Sequence, residues 1–472
     1  MLRSSTSSVA PCLLLLGSLS SAIAELKIDT HSNIVESSRS LAKDAMTFYN
    51  GEEPGNIPGI LPGPPATSSG DYWWYQGASF WATYLDYWHL TGDDSYSNTI
   101  RTGMLYQAGP NNDYMPLNQT ASMGNDDQCF WGTAALAAAE YEFPIRDGDA
   151  TWVDLAKTVW NTQASPMRHD ETCNGGLRWQ ILRSNAGYDW KQTTSNACFF
   201  NMGARLARYT GNATYSEWAE KTWDWLSGVG FIDSDTWAVY DGARVETNCT
   251  DINKVQFSYN AAMLVQGAAF LYNITDGSDL WRERTEKLVD SLLKTFFPNG
   301  TAYEIACENR KGLCPSDALW YKGYVHRWLS SATQLAPFIA NKALPVLRSS
   351  AEAAVKQCLA GKSGLANQCG FYWADGVFAD PKTTDNTTGA GEAVSVLAAV
   401  SNLLITDASA PVTEASSKSG DSNGGGKGNS PSGISDTASP TGTVAPSGAE
   451  SVGMDIKVSL FLGSLMALSW VL

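Results

Sequence analysis

The residues best suited to chemistry are two adjacent acids, Asp126 and Asp127, in Met123-Gly124-Asn125-Asp126-Asp127-Gln128-Cys129-Phe130-Trp131, where a long loop gives way to an apolar helical pattern. Two carboxylates projecting from a helix start into a cleft can stand about 5 Å apart, the spacing that lets one act as nucleophile and the other as acid/base on a glycosidic bond. Burial and mutual repulsion would raise the pKa of one so that it holds its proton, while the other stays ionised. The competing reading is helix capping: Asn125 or Asp126 could accept the first-turn amides, and the helix macrodipole favours negative charge there.

Loops rich in aromatic rings, amides and cations surround this pair in the sequence. They are Tyr72-Trp73-Trp74-Tyr75-Gln76, Arg178-Trp179-Gln180, Tyr188-Asp189-Trp190-Lys191, Ser258-Tyr259-Asn260 and Trp320-Tyr321-Lys322-Gly323-Tyr324. Flat apolar rings suit sugar faces, and forked amides or guanidinium groups suit vicinal hydroxyls. The candidate substrate contacts are therefore Trp74, Gln76, Asn125, Arg178, Trp179, Gln180, Tyr259, Asn260 and Lys322, with burial for packing as the alternative for each. A more distant acid, Asp189 or Asp241, would be the base if the chemistry inverted configuration instead.

The elements that must position these groups read as helices throughout. Apolar and aromatic residues recur at three- and four-residue spacing over about 32–49, 76–91, 93–107, 127–141, 151–165, 191–209, 213–228, 255–273, 278–296, 322–339, 345–359 and 391–405. Strand-like alternation is scarce. Aromatic helix ends followed by Thr91-Gly92-Asp93, Thr210-Gly211-Asn212 and Thr275-Asp276-Gly277 mark tight helical hairpins with a glycine stop. Short turns alternate with long loops, so the expected fold is all-α, six hairpins closed into an (α/α)6 barrel with the long loops on one face; an open solenoid is the alternative.

The ends and the composition describe an exported chain. Residues 1–24 read as a signal peptide closing on Ala22-Ile23-Ala24, and 25–410 as one catalytic domain. Residues 411–447 form a Ser/Gly/Thr/Pro-rich stalk, and 448–472 a GPI-attachment signal with a hydrophobic tail, which would tether the protein to the outer face of the plasma membrane. Six sequons begin at Asn118, Asn212, Asn248, Asn273, Asn299 and Asn386. Of nine cysteines, Cys12 falls in the leader, and the remaining even set suits an oxidising compartment. Cys307 with Cys314 and Cys358 with Cys369 are placed to pair locally; spacing leaves the pairing of Cys129, Cys173, Cys198 and Cys249 open. No Cys-x-x-Cys pattern occurs and the four histidines are scattered, which speaks against a metal site. A net charge of −16 excludes nucleic acid as a natural partner.

Four phrases in order, Gly124-Asn125-Asp126-Asp127-Gln128, Cys173-Asn174-Gly175-Gly176-Leu177-Arg178-Trp179-Gln180, Phe257-Ser258-Tyr259-Asn260 and Tyr321-Lys322-Gly323-Tyr324-x-x-Arg327-Trp328, resemble glycoside hydrolase family 76. The likeness runs over about residues 27 to 407, and the chain resembles the fungal cell-wall branch, the mannan endo-1,6-α-mannosidase-like proteins of filamentous growth and wall assembly. That resemblance implies an (α/α)6 barrel, a retaining mechanism on α-1,6-mannose linkages, Asp126 as nucleophile and Asp127 as acid/base. It further implies an α-1,6-mannan or GPI-core glycan donor, a β-glucan acceptor, no cofactor and a monomer. One departure stands out: the family phrase often reads Cys-Gly-Gly-Gly, and Asn174 replaces a glycine here. A wall lectin that holds mannan without cutting it is the rival from another class, and the intact acid pair counts against it. His326 is expected to be packed and neutral.

Overall fold

The computed structural model describes residues 26–64, 70–359 and 368–421. The expected signal peptide (1–24), most of the stalk and the whole GPI signal (448–472) lie outside the described residues.

All twelve expected helices form. In chain order they begin with α1 (His31–Met46), α2 (Trp74–Thr91), α3 (Ser97–Tyr106), α4 (Asn125–Glu140) and α5 (Trp152–Gln163). Next come α6 (Thr193–Thr210), α7 (Ala213–Gly228), α8 (Ser258–Ile274) and α9 (Asp279–Phe296). The series ends with α10 (Tyr321–Leu335), α11 (Ala340–Val355), the short α12 (Pro381–Thr384), α13 (Ala390–Ser401) and α14 (Glu414–Asp421). Helices α2, α4, α6, α8, α10 and α13 each pack on the next, and α13 returns to α2, so the inner ring closes. Helices α3, α5, α7, α9, α11 and α1 pack outside them. The division follows composition. Every residue of α8 from Ser258 to Leu271 is buried, whereas α9 buries Trp281, Leu288, Val289, Leu292 and Phe296 and turns its charges to water.

The turns behave as their residues require. Gly92 (φ 68°) and Gly211 (φ 72°) end α2 and α6 in the left-handed conformation, which costs glycine nothing. The α10 pattern was expected to run to 339 but stops at Leu335, because Pro337 disfavours helical geometry at Ala336. Five strands of two or three residues were not expected. β1 (Trp190–Gln192), β2 (Gly242–Arg244) and β3 (Ile252–Asn253) form one antiparallel sheet in that order, and β4 (Cys358–Leu359) pairs with β5 (Gln368–Cys369). Strands this short leave no alternation to read.

Both local disulfides form, Cys307–Cys314 and Cys358–Cys369. The open question resolves as Cys129–Cys198, tying α4 to α6, and Cys173–Cys249, tying two loops. All six sequon asparagines are exposed. The folded part also outlasts the expected boundary at 410. Val412 N donates to Glu140 O at 2.9 Å, satisfying a carbonyl at the end of α4, and α14 follows.

Ion pairs cross the barrel interior. Arg205 Nη2 lies 2.7 Å from Glu140 Oε2, and Arg327 Nε lies 2.6 Å from Asp86 Oδ2, all four side chains buried. Removing one partner strands a charge in a low-dielectric interior. Glu140→Ala is expected to cost about 3–5 kcal/mol in equilibrium unfolding. The double change Glu140→Leu/Arg205→Met should recover most of that, and a double variant no better than the single one would refute the account.

Candidate active site

The start of α4 is pinned from two sides. Gly124 takes extended backbone at the N-cap (φ −86°, ψ 165°), Asn125 N donates to Trp179 O at 2.8 Å, and Gly124 bridges to Gln180. A Cβ at Gly124 would come within 2.2 Å of Asp126 Oδ1, so a side chain here would displace the Asp126 carboxylate. Asp126 and Asp127 occupy the first turn, both partly exposed. Asp127 Oδ2 accepts from Gly124 N at 2.7 Å, the reach-back of a capping box. Asp126 Oδ1 accepts from Asp127 N at 3.1 Å, and its Oδ2 accepts from Gln192 Nε2 at 2.6 Å. The capping role is therefore real, yet it occupies only part of the pair: Asp127 Oδ1 has no hydrogen-bond partner among the described residues.

The two acids are unequal. Burial raises Asp126 to about 7, opposed by the amides of Asp127 and Asp126 and by Gln192. Asp127 is pushed higher, first by burial and then by the charge of Asp126, with Gly124 N its one opposing contact. Asp126 therefore ionises first and Asp127 keeps the proton. A third acid, Asp317, raises both through its negative charge. Tyr75 Oη donates to Asp317 Oδ1 at 2.6 Å, and Gln76 Nε2 reaches Ser316 O at 3.5 Å, so the first turn of α2 holds this segment in place. Asp241 is a fourth acid in the neighbourhood: burial lifts it to about 6, and both it and Asp126 act on Tyr259. The ring of Tyr259 lies 4.1 Å from Tyr321, and Tyr75 meets Phe130 at 5.2 Å, so aromatic rings pack beside the acids.

Several residues expected at the substrate prove to be scaffold. Lys322 is fully buried, bonded to Glu308 Oε1 and Phe371 O at 2.7 Å each. Arg178 pairs with Asp170 and donates to Tyr188 O at 2.7 Å. Trp74 is core, donating to Gln107 Oε1 at 2.8 Å and lying against Trp131; the exposed indole of that phrase is its neighbour Trp73. Gln76 is buried and accepts from Trp73 N at 2.6 Å. Asn125 donates to Arg178 O, Gln180 accepts from Asn185, and Asn260 accepts from Thr194 Oγ1 at 2.9 Å. Polar groups on inner helices and loop bases are drawn to protein partners in this way, although the amide nitrogen of Asn260 is buried with none among the described residues. Trp179 stays exposed beside Gly124, and Tyr259 lines the cleft with its hydroxyl 2.7 Å from Thr194 Oγ1. Sequence reasoning missed Gln192 and Asp317; Gln192 has no local signal, whereas Asp317 sits just before the Trp320–Tyr324 phrase already singled out. Of the two distant acids, Asp189 pairs with Arg244 on the surface and only Asp241 lies near the site. His326 is packed and neutral, its pKa lowered to about 4 by burial.

A closed double ring of helices with a partly exposed pair of acids at the start of an inner helix is the arrangement of a helical-barrel glycoside hydrolase. The chain belongs to glycosyl hydrolase family 76, whose model matches residues 33–415. It is 40% identical over 392 residues to mannan endo-1,6-alpha-mannosidase DCW1 of Saccharomyces cerevisiae, covering 82% of this chain and 83% of that one. It is also 37% identical to mannan endo-1,6-alpha-mannosidase DFG5 of the same yeast, covering 85% of each. Among solved structures, Dfg5 from Chaetomium thermophilum in complex with glucosamine is similar at 58% identity and a TM-score of 0.81, covering 83% of this chain and 95% of that one. The alpha-1,6-mannanase of Salegentibacter shares the fold at 18% identity, with a TM-score of 0.60 over 79% of this chain and 99% of its own.

The acids whose pKa is shifted make stability depend on pH. Asp126 at about 7, Asp241 at about 6, and Glu304 and Glu392 at about 8 are all held above the unfolded value of about 4, so their contribution is full below pH 4 and is lost as pH rises through 6 to 8. Asp93 and Asp170, held near 2, contribute above pH 4 and lose that contribution toward pH 2. Thermal melts at constant ionic strength should peak between about pH 4 and 6 and fall by pH 8. A melting temperature that climbs steadily from 5 to 8 would contradict this.

Asp317→Asn removes a negative charge that raises both members of the pair. The acid limb of the pH–rate profile should move to lower pH with the fold intact; an unmoved limb would separate Asp317 from the pair.

Proposed function

We propose that this chain is a retaining endo-acting α-1,6-mannosidase that also transfers glycans, with Asp126 as nucleophile and Asp127 as acid/base. The observation that carries the reading is the unequal hydrogen bonding of the pair: Asp126 accepts from Gln192 Nε2 and Asp127 N, whereas Asp127 accepts from Gly124 N alone among the described residues, which favours the negative charge on Asp126. The relatives' names supply the substrate class, α-1,6-linked mannan.

Asp126 attacks the anomeric carbon of an α-mannosyl unit while Asp127 gives its proton to the departing oxygen. The C–O bond to the leaving group breaks and a β-linked mannosyl-enzyme forms. Asp127, now a carboxylate, takes the proton of the incoming hydroxyl as that oxygen displaces Asp126, and the α configuration returns. Water as acceptor gives hydrolysis, and a sugar hydroxyl gives transfer. The donor in this proposal is α-mannan or the mannose core of a GPI glycan, and the acceptor a wall β-glucan. The protein would act as a monomer, exported through the ER and tethered by a GPI lipid at the plasma membrane or wall, where it would attach glycoproteins during wall assembly.

One observation favours a second reading. Burial lifts Asp241 to about 6 and its charge acts on Tyr259, as does that of Asp126, so in an inverting reaction Asp241 would be the base and Asp126 or Asp127 the acid. Proton NMR of the first product from an α-1,6-mannooligosaccharide distinguishes the two: an α-anomer is expected, and a β-anomer would overturn retention. In the same assay Asp126→Asn and Asp127→Asn are each expected to lower kcat by at least about 10²–10⁴, with circular dichroism unchanged. Adding a β-glucan oligosaccharide should yield donor–acceptor adducts by mass spectrometry; free mannosides alone would reduce the reading to hydrolysis.

A further inference from the structure

A groove of about 730 Å³ lies between α7 and the loop through His169 to Gly176, in the size range of small-molecule sites. Its lining includes His169, Asn174, Trp218, Lys221, Asp224 and Trp225, and none of Asp126, Asp127, Asp241 or Asp317. It is thus distinct from the site of the acid pair.

The walls are built, not incidental. Trp225 Nε1 donates to Cys173 O at 2.9 Å, and Gly176 (φ 76°) lies so close under the indole that a Cβ there would meet it at 2.4 Å. Trp218 stands edge-on to Trp160 and Phe199, with Lys221 Nζ 4.5 Å from its ring. The facing loop is held by the Cys173–Cys249 disulfide and by the buried Lys191, whose ammonium bonds Asp170 Oδ1 at 2.9 Å, Thr172 O at 2.6 Å and Gly176 O at 3.1 Å. A wall fixed in this way loses little entropy when a ligand arrives. The departure from the family phrase, Asn174, places an amide on this wall.

The chemistry of the lining narrows the ligand. Two partly exposed indoles offer flat apolar faces, while an amide, an ammonium and a carboxylate between them offer hydrogen bonds of both senses. Lys221 is balanced by Asp224 and Glu171, so no net positive charge invites a phosphate or other polyanion. Flat rings alternating with hydrogen-bonding groups match a pyranose whose hydroxyls lie equatorial, leaving a broad face of C–H bonds. We propose that this groove is a second, non-catalytic site for a neutral hexose chain of the glucan type. The sequon at Asn248, next to Cys249 and so one disulfide away from Cys173, offers a second source of equatorially substituted pyranose faces: the β-linked N-acetylglucosamine core of a glycan on the chain itself.

The test is affinity electrophoresis and calorimetry of the full-length protein with soluble β-glucan and its hexaose, comparing wild type, Trp225→Ala, Trp218→Ala and Asn248→Gln, with cleavage of a short α-1,6-mannoside measured in parallel. Glucan binding weakened about tenfold in both Trp variants, with mannoside cleavage unchanged, is the expected result. Two variants are used because Trp225 also supports its loop through Cys173. Glucan binding that emerges only in Asn248→Gln supports the saccharide site and assigns its resident ligand to the chain's own glycan. No glucan binding in any folded variant, or binding indifferent to both Trp changes, overturns the proposal. Because the mannoside assay reads the acid pair alone, failure here and failure of the catalytic assignment are separable.

Discussion

Two adjacent carboxyl groups at the start of a buried helix cannot both carry charge at low cost, and much of the structure around α4 answers that constraint. The first-turn amides and Gln192 stabilise one negative charge, on Asp126, while Asp127 accepts from Gly124 N with one oxygen and has no partner for the other among the described residues. Burial then widens the difference, because a low dielectric penalises a second charge more than water would. A helix start supplies the amides, an inner position supplies the burial, and Gly124 supplies the close approach that lets the Arg178–Gln180 segment bond to the start of α4.

The double ring serves this arrangement by bringing inner-helix starts together. Tyr75 at the start of α2, Gln192 just before α6, Tyr259 at the start of α8 and Asp317 just before α10 converge on the beginning of α4, although they lie far apart in sequence. The loops that carry them are anchored by buried cations. Lys191 holds the Thr172–Gly176 loop and Lys322 holds Glu308 and Phe371, so two lysines in cleft-facing phrases are spent on the protein itself. Such pairs cost desolvation, and what they supply is a fixed loop position. The same loop anchored by Lys191 forms one wall of the side groove, so one structural device shapes two surfaces.

Much of this was legible in the sequence. Helical periodicity located all twelve ring helices within a few residues, because inner helices are apolar all round and outer ones on one face, and the Thr-Gly turns announced the hairpins. The acid pair was legible because it interrupts an apolar pattern at a helix start. What stayed hidden were relations across the ring. Gln192 and Asp317 matter through partners more than sixty residues away, and nothing local distinguishes Lys322, buried on Glu308, from a lysine facing a substrate. The register of Trp73 and Trp74 was equally invisible, since one residue of helix decides which indole is core.

The central claim is that Asp126 becomes covalently linked to the sugar. The most direct measurement uses a fluorinated α-1,6-mannobiosyl donor with an activated leaving group, chosen so that the glycosyl-enzyme decomposes slowly, followed by peptide mass mapping. The account predicts one mannobiosyl unit on the peptide bearing Asp126, localised to that carboxyl by fragmentation and absent in Asp126→Asn. Label on Asp127 or Asp241, or turnover of the donor with no adduct and an inverted product, would contradict it.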